Sequence, residues 1–197
     1  MSAASQLEIR LHAFVNLSRA NGPGPRSVLW LQGCTLACPE CFNPETHDRD
    51  GGRSVTVDAV VSRIRALEPQ LEGVTVSGGE PIQQAEALGE LCRRIRATTS
   101  LSILVFSGYT LQAIERTASG PDVLAHIDVL VAGRYLHETR LGSGLLGSSN
   151  QTAHLLTDRY TREEVASTPE IEIQIGPSGD VLVTGMSGGA GLIDYSL

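Results

Sequence analysis

The stretch GCTLACPECFN, residues 33–43, carries three of the four cysteines of this 197-residue chain. Cys34, Cys38 and Cys41 follow a C-x3-C-x2-C spacing, so three thiolates can converge on one centre. Thiolate sulfur favours soft metals, namely zinc, Cu(I) and iron–sulfur clusters. Because a cubane cluster normally takes four cysteine thiolates, three clustered cysteines without a nearby fourth indicate a [4Fe-4S] centre whose remaining iron is open to a substrate or cofactor.

A second glycine-containing turn follows another predicted strand. The apolar run SVLWLQ, residues 27–32, predicts a buried strand that ends at Gly33 and Cys34, and GVTVS, residues 73–77, predicts a strand that ends in Gly78-Gly79-Glu80-Pro81. In parallel α/β proteins, ligands gather at the carboxyl ends of the strands. The two turns are therefore expected at the same functional edge of a sheet, although a strand-to-helix turn alone would also explain the glycines and the proline.

Strands and helices alternate along the rest of the chain. Apolar spacing predicts helices at 56–67, 82–96 and 111–118, strands at 101–106 and 128–132, and Cys92 as a small core residue on a helix face. This alternation indicates an α/β fold with a mostly parallel sheet. The strand predicted at 7–15 is expected at a sheet edge, residues 133–150 are expected to form a Gly/Ser-rich loop, and EIEIQI with VLVT, residues 170–175 and 181–184, predicts a hairpin.

The cysteine spacing resembles that of the radical S-adenosylmethionine (SAM) enzymes. The amino-acid sequence of residues 33–43 most resembles that of the glycyl-radical activating enzymes, and in particular those that activate anaerobic ribonucleotide reductases. Residues 78–81 match the glycine-rich motif of that family, and its later motifs resemble residues 107–110, 128–135 and 147–151. The resemblance covers roughly residues 14–160.

The resemblance implies a fold and a set of cofactor-binding residues. The fold would be a partial (β/α) barrel of the radical SAM type with a curved sheet, in a single domain over residues 1–197 with a core at about 14–160 and an extension at 161–197. Cys34, Cys38 and Cys41 would hold the cluster. SAM would contact the main chain at Glu40, a position where many of these enzymes have an aromatic residue. The other residues expected to bind SAM are Phe42, Asn43, Ser77, Gly78, Gly79, Glu80, Ser107 and Tyr109. Gly78, Gly79 and Glu80 would hold the methionine ammonium group, because a carboxylate pairs with a cation.

The resemblance also implies the reaction and its partners. An electron from the reduced cluster would cleave SAM to methionine and a 5′-deoxyadenosyl radical, which takes hydrogen from a backbone glycine of an anaerobic ribonucleoside-triphosphate reductase. A flavodoxin- or ferredoxin-type protein would donate the electron. No side chain is expected to act as a general acid or base, because the cofactors carry the chemistry.

Two alternatives remain open at this stage. One is a radical SAM enzyme that modifies a small molecule or a peptide, over which the Gly/Ser-rich loop and the hairpin would close. The other is a zinc-stabilised interaction module in which His47 completes a Cys3His site.

Composition excludes several other classes. A net charge of −7, from 15 Lys plus Arg and 22 Asp plus Glu, argues against a nucleic-acid partner. The first residues lack the basic start and apolar run of a signal peptide, and no apolar span reaches the length of a membrane helix. Three clustered cysteines and one lone cysteine differ from a secreted disulfide framework. The sequence therefore predicts a cytoplasmic protein without a membrane partner.

Overall fold

A computed structural model describes residues 7–141 and 144–186. The chain is an α/β protein, as the alternation of elements predicted. Its strands are β1 Glu8–Ser18, β2 Arg26–Leu31, β3 Arg53–Thr56, β4 Gly73–Gly78, β5 Ser102–Ser107, β6 Val129–Ala132, β7 Thr152–Leu155, β8 Ile171–Ile175 and β9 Val181–Gly185. Its helices are α1 Val57–Leu67, α2 Ala85–Thr98, α3 Leu111–Glu115, α4 Gly120–Ala125 and α5 Arg162–Ala166.

Seven strands form one mixed sheet in the order β3-β1-β2-β4-β5-β6-β7. The four central strands β2, β4, β5 and β6 run parallel, and β1, β3 and β7 run antiparallel to their neighbours. Every residue of β2 is buried, as expected for a parallel strand with both faces covered. Within the described ranges, β3 and β7 are the two edges and do not pair with each other, so the sheet is open.

The prediction that the first strand lies at an edge is wrong. β3 pairs with β1 outside it, with Ile9 opposite Val55, so β1 lies between β3 and β2. The sequence of β3 gave no signal, because it is four residues long and includes polar Arg53 and Ser54. Its position is decided by pairing with a long neighbour and not by its own apolar pattern. The short strand β7 was missed for the same reason.

Helices cover one face of the sheet. The residues Val60 and Ile64 of α1 and Leu88 and Leu91 of α2 belong to one buried cluster with the strands below them. Cys92 lies in this core, as predicted, and burial raises the pKa of its thiol to about 12. The helix predicted over 111–118 ends at Glu115, and a short second helix, α4, follows it.

The other face of the sheet carries a buried arginine at the amino-terminal ends of the parallel strands. Arg26 is fully buried, and its guanidinium donates hydrogen bonds to Thr75 Oγ1 at 2.8 Å, to Ser102 Oγ at 2.9 Å and to the Val74 carbonyl at 2.9 Å. It also donates to Tyr160 OH at 3.2 Å. This network satisfies the buried charge and closes this end of the sheet face.

The carboxyl-terminal part of the chain forms the predicted hairpin. Strands β8 and β9 pair antiparallel as a separate two-stranded sheet, with Ile173 opposite Val183. The predicted loop at 133–150 contains only a short 3-10 turn, His137–Thr139, and a single bridge between Arg140 and Ser148, apart from residues 142–143, which lie outside the description. Among the helices described, none is long and apolar enough to span a bilayer.

The Arg26 network predicts a stability effect. Arg26→Met should lower the unfolding free energy by about 3 kcal/mol, because it leaves buried oxygen atoms without their donor. Urea unfolding of the purified chain measures this. As a control, Arg65→Met on an exposed position of α1 should change the unfolding free energy by less than about 0.5 kcal/mol. Equal effects of the two substitutions would contradict the role assigned to the network.

Candidate functional site

The two motifs predicted from the sequence meet at the carboxyl ends of β2 and β4. These strands are parallel neighbours, with Trp30 opposite Ser77 and Leu31 opposite Gly78, so the turns that follow them lie side by side. One cavity at this edge is lined by most of the predicted site residues, namely Cys34, Cys38, Cys41, Phe42, Asn43, Ser77, Gly78, Gly79, Glu80 and Ser107.

Two predicted residues lie outside the cavity lining. Glu40 is exposed, and its backbone has a φ of +52°, an unusual left-handed conformation for a residue other than glycine. Tyr109 is half-buried beside the cavity, and its hydroxyl accepts a hydrogen bond from Gln83 Nε2 at 3.3 Å. Any contact of these two residues with a ligand in the cavity would therefore use the main chain or an indirect connection.

The cysteine loop is closed at its base by backbone hydrogen bonds. Gly33 N donates to the Thr46 carbonyl at 2.8 Å, and Cys34 N donates to the His47 carbonyl at 3.1 Å. Burial raises the pKa of the Cys34 and Cys41 thiols, and nearby backbone N–H groups oppose this effect. One of them, Asn43 N, donates to Cys41 Sγ at 3.4 Å. These N–H groups stabilise thiolate sulfur, the form that binds metal.

The glycine turn after β4 comes very close to the cysteine loop. Glu80 N donates to the Gly33 carbonyl at 2.9 Å. A Cβ atom on Gly79 would lie 2.3 Å from that same carbonyl oxygen, and Gly78 has a φ of +106°. Both positions need glycine, Gly79 for space and Gly78 for its left-handed backbone.

Glu80 is buried and hydrogen-bonded within the protein. Only 1% of the residue is exposed; its Oε1 accepts from Ile82 N at 2.9 Å and Ser107 Oγ at 2.8 Å, and its Oε2 accepts from Gly108 N at 2.7 Å. Burial raises the pKa of the carboxyl, and these three donors oppose the rise. Because each carboxylate oxygen can accept two hydrogen bonds, Oε2 has one acceptor position that no described donor fills.

His47 also lines the cavity and has a buried ring nitrogen. Its Nε2 atom has no hydrogen-bond partner in the part of the chain that the structure describes, and the residue is one of those lining the cavity. Buried polar atoms are rarely left unpaired.

The cavity is walled on one side by aromatic rings. The ring centroids of Phe42 and Tyr135 are 4.7 Å apart, and the Arg140 guanidinium carbon lies 5.0 Å from the centre of the Phe42 ring. Tyr135 lies in the predicted motif at 128–135 and is buried. The wall therefore gives a ligand an apolar surface beside the thiols.

Comparison with known proteins decides what kind of site this is. A family model described as a 4Fe-4S single cluster domain matches residues 20–154. The chain is 32% identical over 152 residues to the anaerobic ribonucleoside-triphosphate reductase-activating protein of Escherichia coli K12. This alignment covers 74% of the present chain and 97% of the relative. It is 30% identical over 154 residues to the protein of the same name from Vibrio cholerae, again over 97% of the relative. It is also 41% identical over 96 residues to the pyruvate formate-lyase-activating enzyme of Staphylococcus epidermidis, over 46% of this chain and 38% of that enzyme.

The chain belongs to the radical SAM glycyl-radical activating enzymes. Its cofactors are a [4Fe-4S] cluster and SAM. The zinc-stabilised interaction module that the sequence left open is therefore rejected.

In this activating enzyme, several positioning residues were not identified from the sequence. Gln83 connects three loops: its Oε1 accepts from Thr35 N at 3.2 Å, and its Nε2 donates to Thr35 Oγ1 at 2.6 Å and to Tyr109 OH at 3.3 Å. Gln151 Oε1 accepts from Gly147 N at 2.8 Å, and Arg134 donates to the Leu36 carbonyl. Arg134 and Gln151 lie inside the predicted motifs at 128–135 and 147–151, whereas no local sequence pattern indicated Gln83.

The close approach of the two loops predicts the effect of one methyl group. Gly79→Ala should weaken SAM binding by roughly ten- to a hundredfold, because the added Cβ forces the glycine turn away from the cysteine loop. Equilibrium dialysis with the reconstituted enzyme measures this affinity. Gly179→Ala is the control, since Gly179 has a φ of +89° but nothing within 4 Å of the added Cβ, and it should leave SAM binding unchanged. Wild-type affinity in Gly79→Ala would contradict the close-approach argument.

Proposed function

We propose that this enzyme generates a glycyl radical on an anaerobic ribonucleoside-triphosphate reductase. The observation that carries the proposal is the pairing of the C-x3-C-x2-C loop with the Gly78–Pro81 turn at one sheet edge, joined by the bond from Glu80 N to the Gly33 carbonyl. The names of the relatives that match over nearly their whole length support this partner.

Cys34, Cys38 and Cys41 would hold the cluster, and an iron without a protein ligand would remain for SAM. Once reduced, such a cluster would supply the one electron needed to cleave SAM into methionine and a 5′-deoxyadenosyl radical, and this radical would take a hydrogen atom from the partner's glycine. The residues of the chain itself would bind and orient the cluster and SAM. The free acceptor position of Glu80 Oε2 suits the ammonium group of SAM, and Ser107 fixes that carboxylate through its 2.8 Å hydrogen bond.

The remaining predicted residues would lie around Glu80 and Ser107. Phe42 would shield the adenine with its ring, Asn43 and Ser77 line the same cavity, and Glu40 would contribute its main chain. Tyr109 would act through the Gln83 side chain. Thr35, Ala37, Pro39 and Glu40 are exposed on the outer side of the cysteine loop, so a flavodoxin- or ferredoxin-type electron donor can approach the cluster there. The sheet is open over the residues that the structure describes, which suits a partial barrel of the radical SAM type.

The ligand assignment is tested by a pair of cysteine variants. Cys34→Ala should lose the cluster, seen as a loss of iron and sulfide after anaerobic reconstitution, and should give no glycyl radical. Cys92→Ala should keep the cluster, because Cys92 lies in the core away from the cavity. The glycyl radical is measured by electron paramagnetic resonance after anaerobic incubation with SAM, a reductant and the reductase.

The same assay separates the proposal from its alternative. SAM cleavage by the wild-type enzyme without any glycyl radical on the reductase would favour an enzyme that modifies a small molecule or a peptide. Full activity of Cys34→Ala would show that the ligand set is wrong.

The role of Glu80 is tested by removing its charge. Glu80→Gln should weaken SAM binding by about tenfold or more, because a hydrogen bond to a charged group contributes about 1.5–3 kcal/mol. The iron content should stay at the wild-type level. Glu86→Gln, on an exposed position of α2, serves as the control. Unchanged SAM affinity in Glu80→Gln would mean that Glu80 only holds the loop of Ser107 and Gly108 in place.

A further inference from the structure

The carboxyl-terminal hairpin turns an apolar face outward. Ile171, Ile173, Ile175 and Val181 are 44%, 60%, 73% and 40% exposed, and Leu136 is the one other strongly exposed large hydrophobic residue in the described ranges. The pairs Ile173–Val183 and Ile175–Val181 are cross-strand neighbours and lie on the same side of the hairpin. We call the surface of Ile171, Ile173, Ile175, Val181 and Val183 the hairpin face.

The polar face of the hairpin is the one anchored to the protein. Glu172 Oε2 accepts from Arg19 N at 2.8 Å, and Gln174 Nε2 donates to the Leu17 carbonyl at 2.8 Å. Thr184 Oγ1 shares a buried 2.8 Å hydrogen bond with Ser18 Oγ. A hairpin on a protein surface usually buries its apolar side and exposes its polar side. This hairpin has the opposite orientation, because its polar side contacts the protein and its apolar side faces outward.

The hairpin face is continuous with the cofactor cavity. Val183 belongs to the hairpin face and also lines the cavity that holds the three cysteines, as does Met186 just after β9. The Val183 end of the hairpin is therefore at the cavity wall, and Ile173 and Ile175 lie farther along the hairpin towards its turn.

We propose that the hairpin face docks the glycyl-radical partner, against an apolar patch that flanks the partner's glycine. The inference rests on the proposed function and deepens it, because it assigns the partner a contact surface. The partner is favoured as the occupant because its glycine has to reach the cavity, and the hairpin that carries the face also lines that cavity through Val183. The five residues of the face carry no charge, so the matching surface on the partner is apolar.

The position of the hairpin along the chain favours a role in partner choice. Strands β8 and β9 lie beyond residues 20–154, the part that the family model matches. Ile171, Ile173, Ile175 and Val181 do not line the cofactor cavity, so these four residues can change which partner binds without changing how the cofactors are held. Burial of isoleucine and valine side chains then stabilises the complex.

Site-directed photocrosslinking identifies the occupant. A photoreactive phenylalanine analogue replaces Ile173 in the reconstituted full-length enzyme, which is then irradiated with the anaerobic ribonucleoside-triphosphate reductase from the same genome. The same analogue replaces Ala97 as the control, an exposed position at the end of α2 that precedes β5. A crosslink to the reductase from position 173 and none from position 97 is expected. A crosslink to a second copy of the chain, to its own residues 187–197, or to nothing would overturn the proposal.

Substitution measures the contribution of the face. The double variant Ile173→Ser with Ile175→Ser should weaken reductase binding by about tenfold or more, and glycyl radical formation should need correspondingly more reductase. Ile173→Val should behave like the wild type, because it keeps an apolar β-branched side chain. Cleavage of SAM without reductase and the unfolding midpoint check that the cofactor site and the fold are intact.

The outcomes separate this inference from the proposed function. If the double variant and the wild type form the glycyl radical at the same reductase concentrations, the docking surface is wrong and the proposed function stands. If the wild type binds the reductase through position 173 but forms no glycyl radical on it, the docking surface stands and the proposed function fails.

Discussion

The contact between the Gly33 carbonyl and Glu80 N holds the site of this enzyme together. It joins two loops that follow neighbouring parallel strands, and the 2.9 Å bond leaves no space for a side chain at Gly79. Because of this contact, the thiols of the cysteine loop and the carboxylate of Glu80 face one cavity. Gln83 adds a second connection, since its amide group bonds both Thr35 and Tyr109. A backbone contact of this kind positions functional groups without depending on flexible side chains.

On the face of the sheet that carries Arg26, opposite the helices, the side chains of the central strands form three layers. Arg26 and its partners close the amino-terminal ends, apolar residues such as Val28 and Leu104 fill the middle, and Trp30 and Phe106 lead into the cavity at the carboxyl ends. The alternation of side chains along a strand places all of these on the same face. The polar network at one end leaves the other end free for the cofactors, so stability and function occupy different ends of the same strands.

The sequence predicted the parts of the structure that depend on local spacing. Three cysteines within eight residues and a glycine turn after an apolar run are recognisable without knowledge of tertiary contacts, and both lie where they were expected. The position of β1 was mispredicted because a four-residue neighbour, β3, decides it. Gln83 was missed because its role exists only where three loops meet. The exposed side chain of Glu40 follows from a left-handed backbone that residue type alone does not indicate.

The hairpin shows what a period of two can and cannot predict. The alternation in EIEIQI predicted the strand and its partner, and it placed the isoleucines on one side. It could not say which side faces the protein, and the usual expectation, apolar side inward, is reversed here. Anchoring by Glu172, Gln174 and Thr184 decides which side faces the protein. Leu182 adds an apolar contact, because it packs against the cluster of Ala13, Val15, Val28 and Trp30. Because polar contacts and one leucine hold the hairpin in place, its isoleucines are not needed for attachment, and a partner can bury them without competing with the fold.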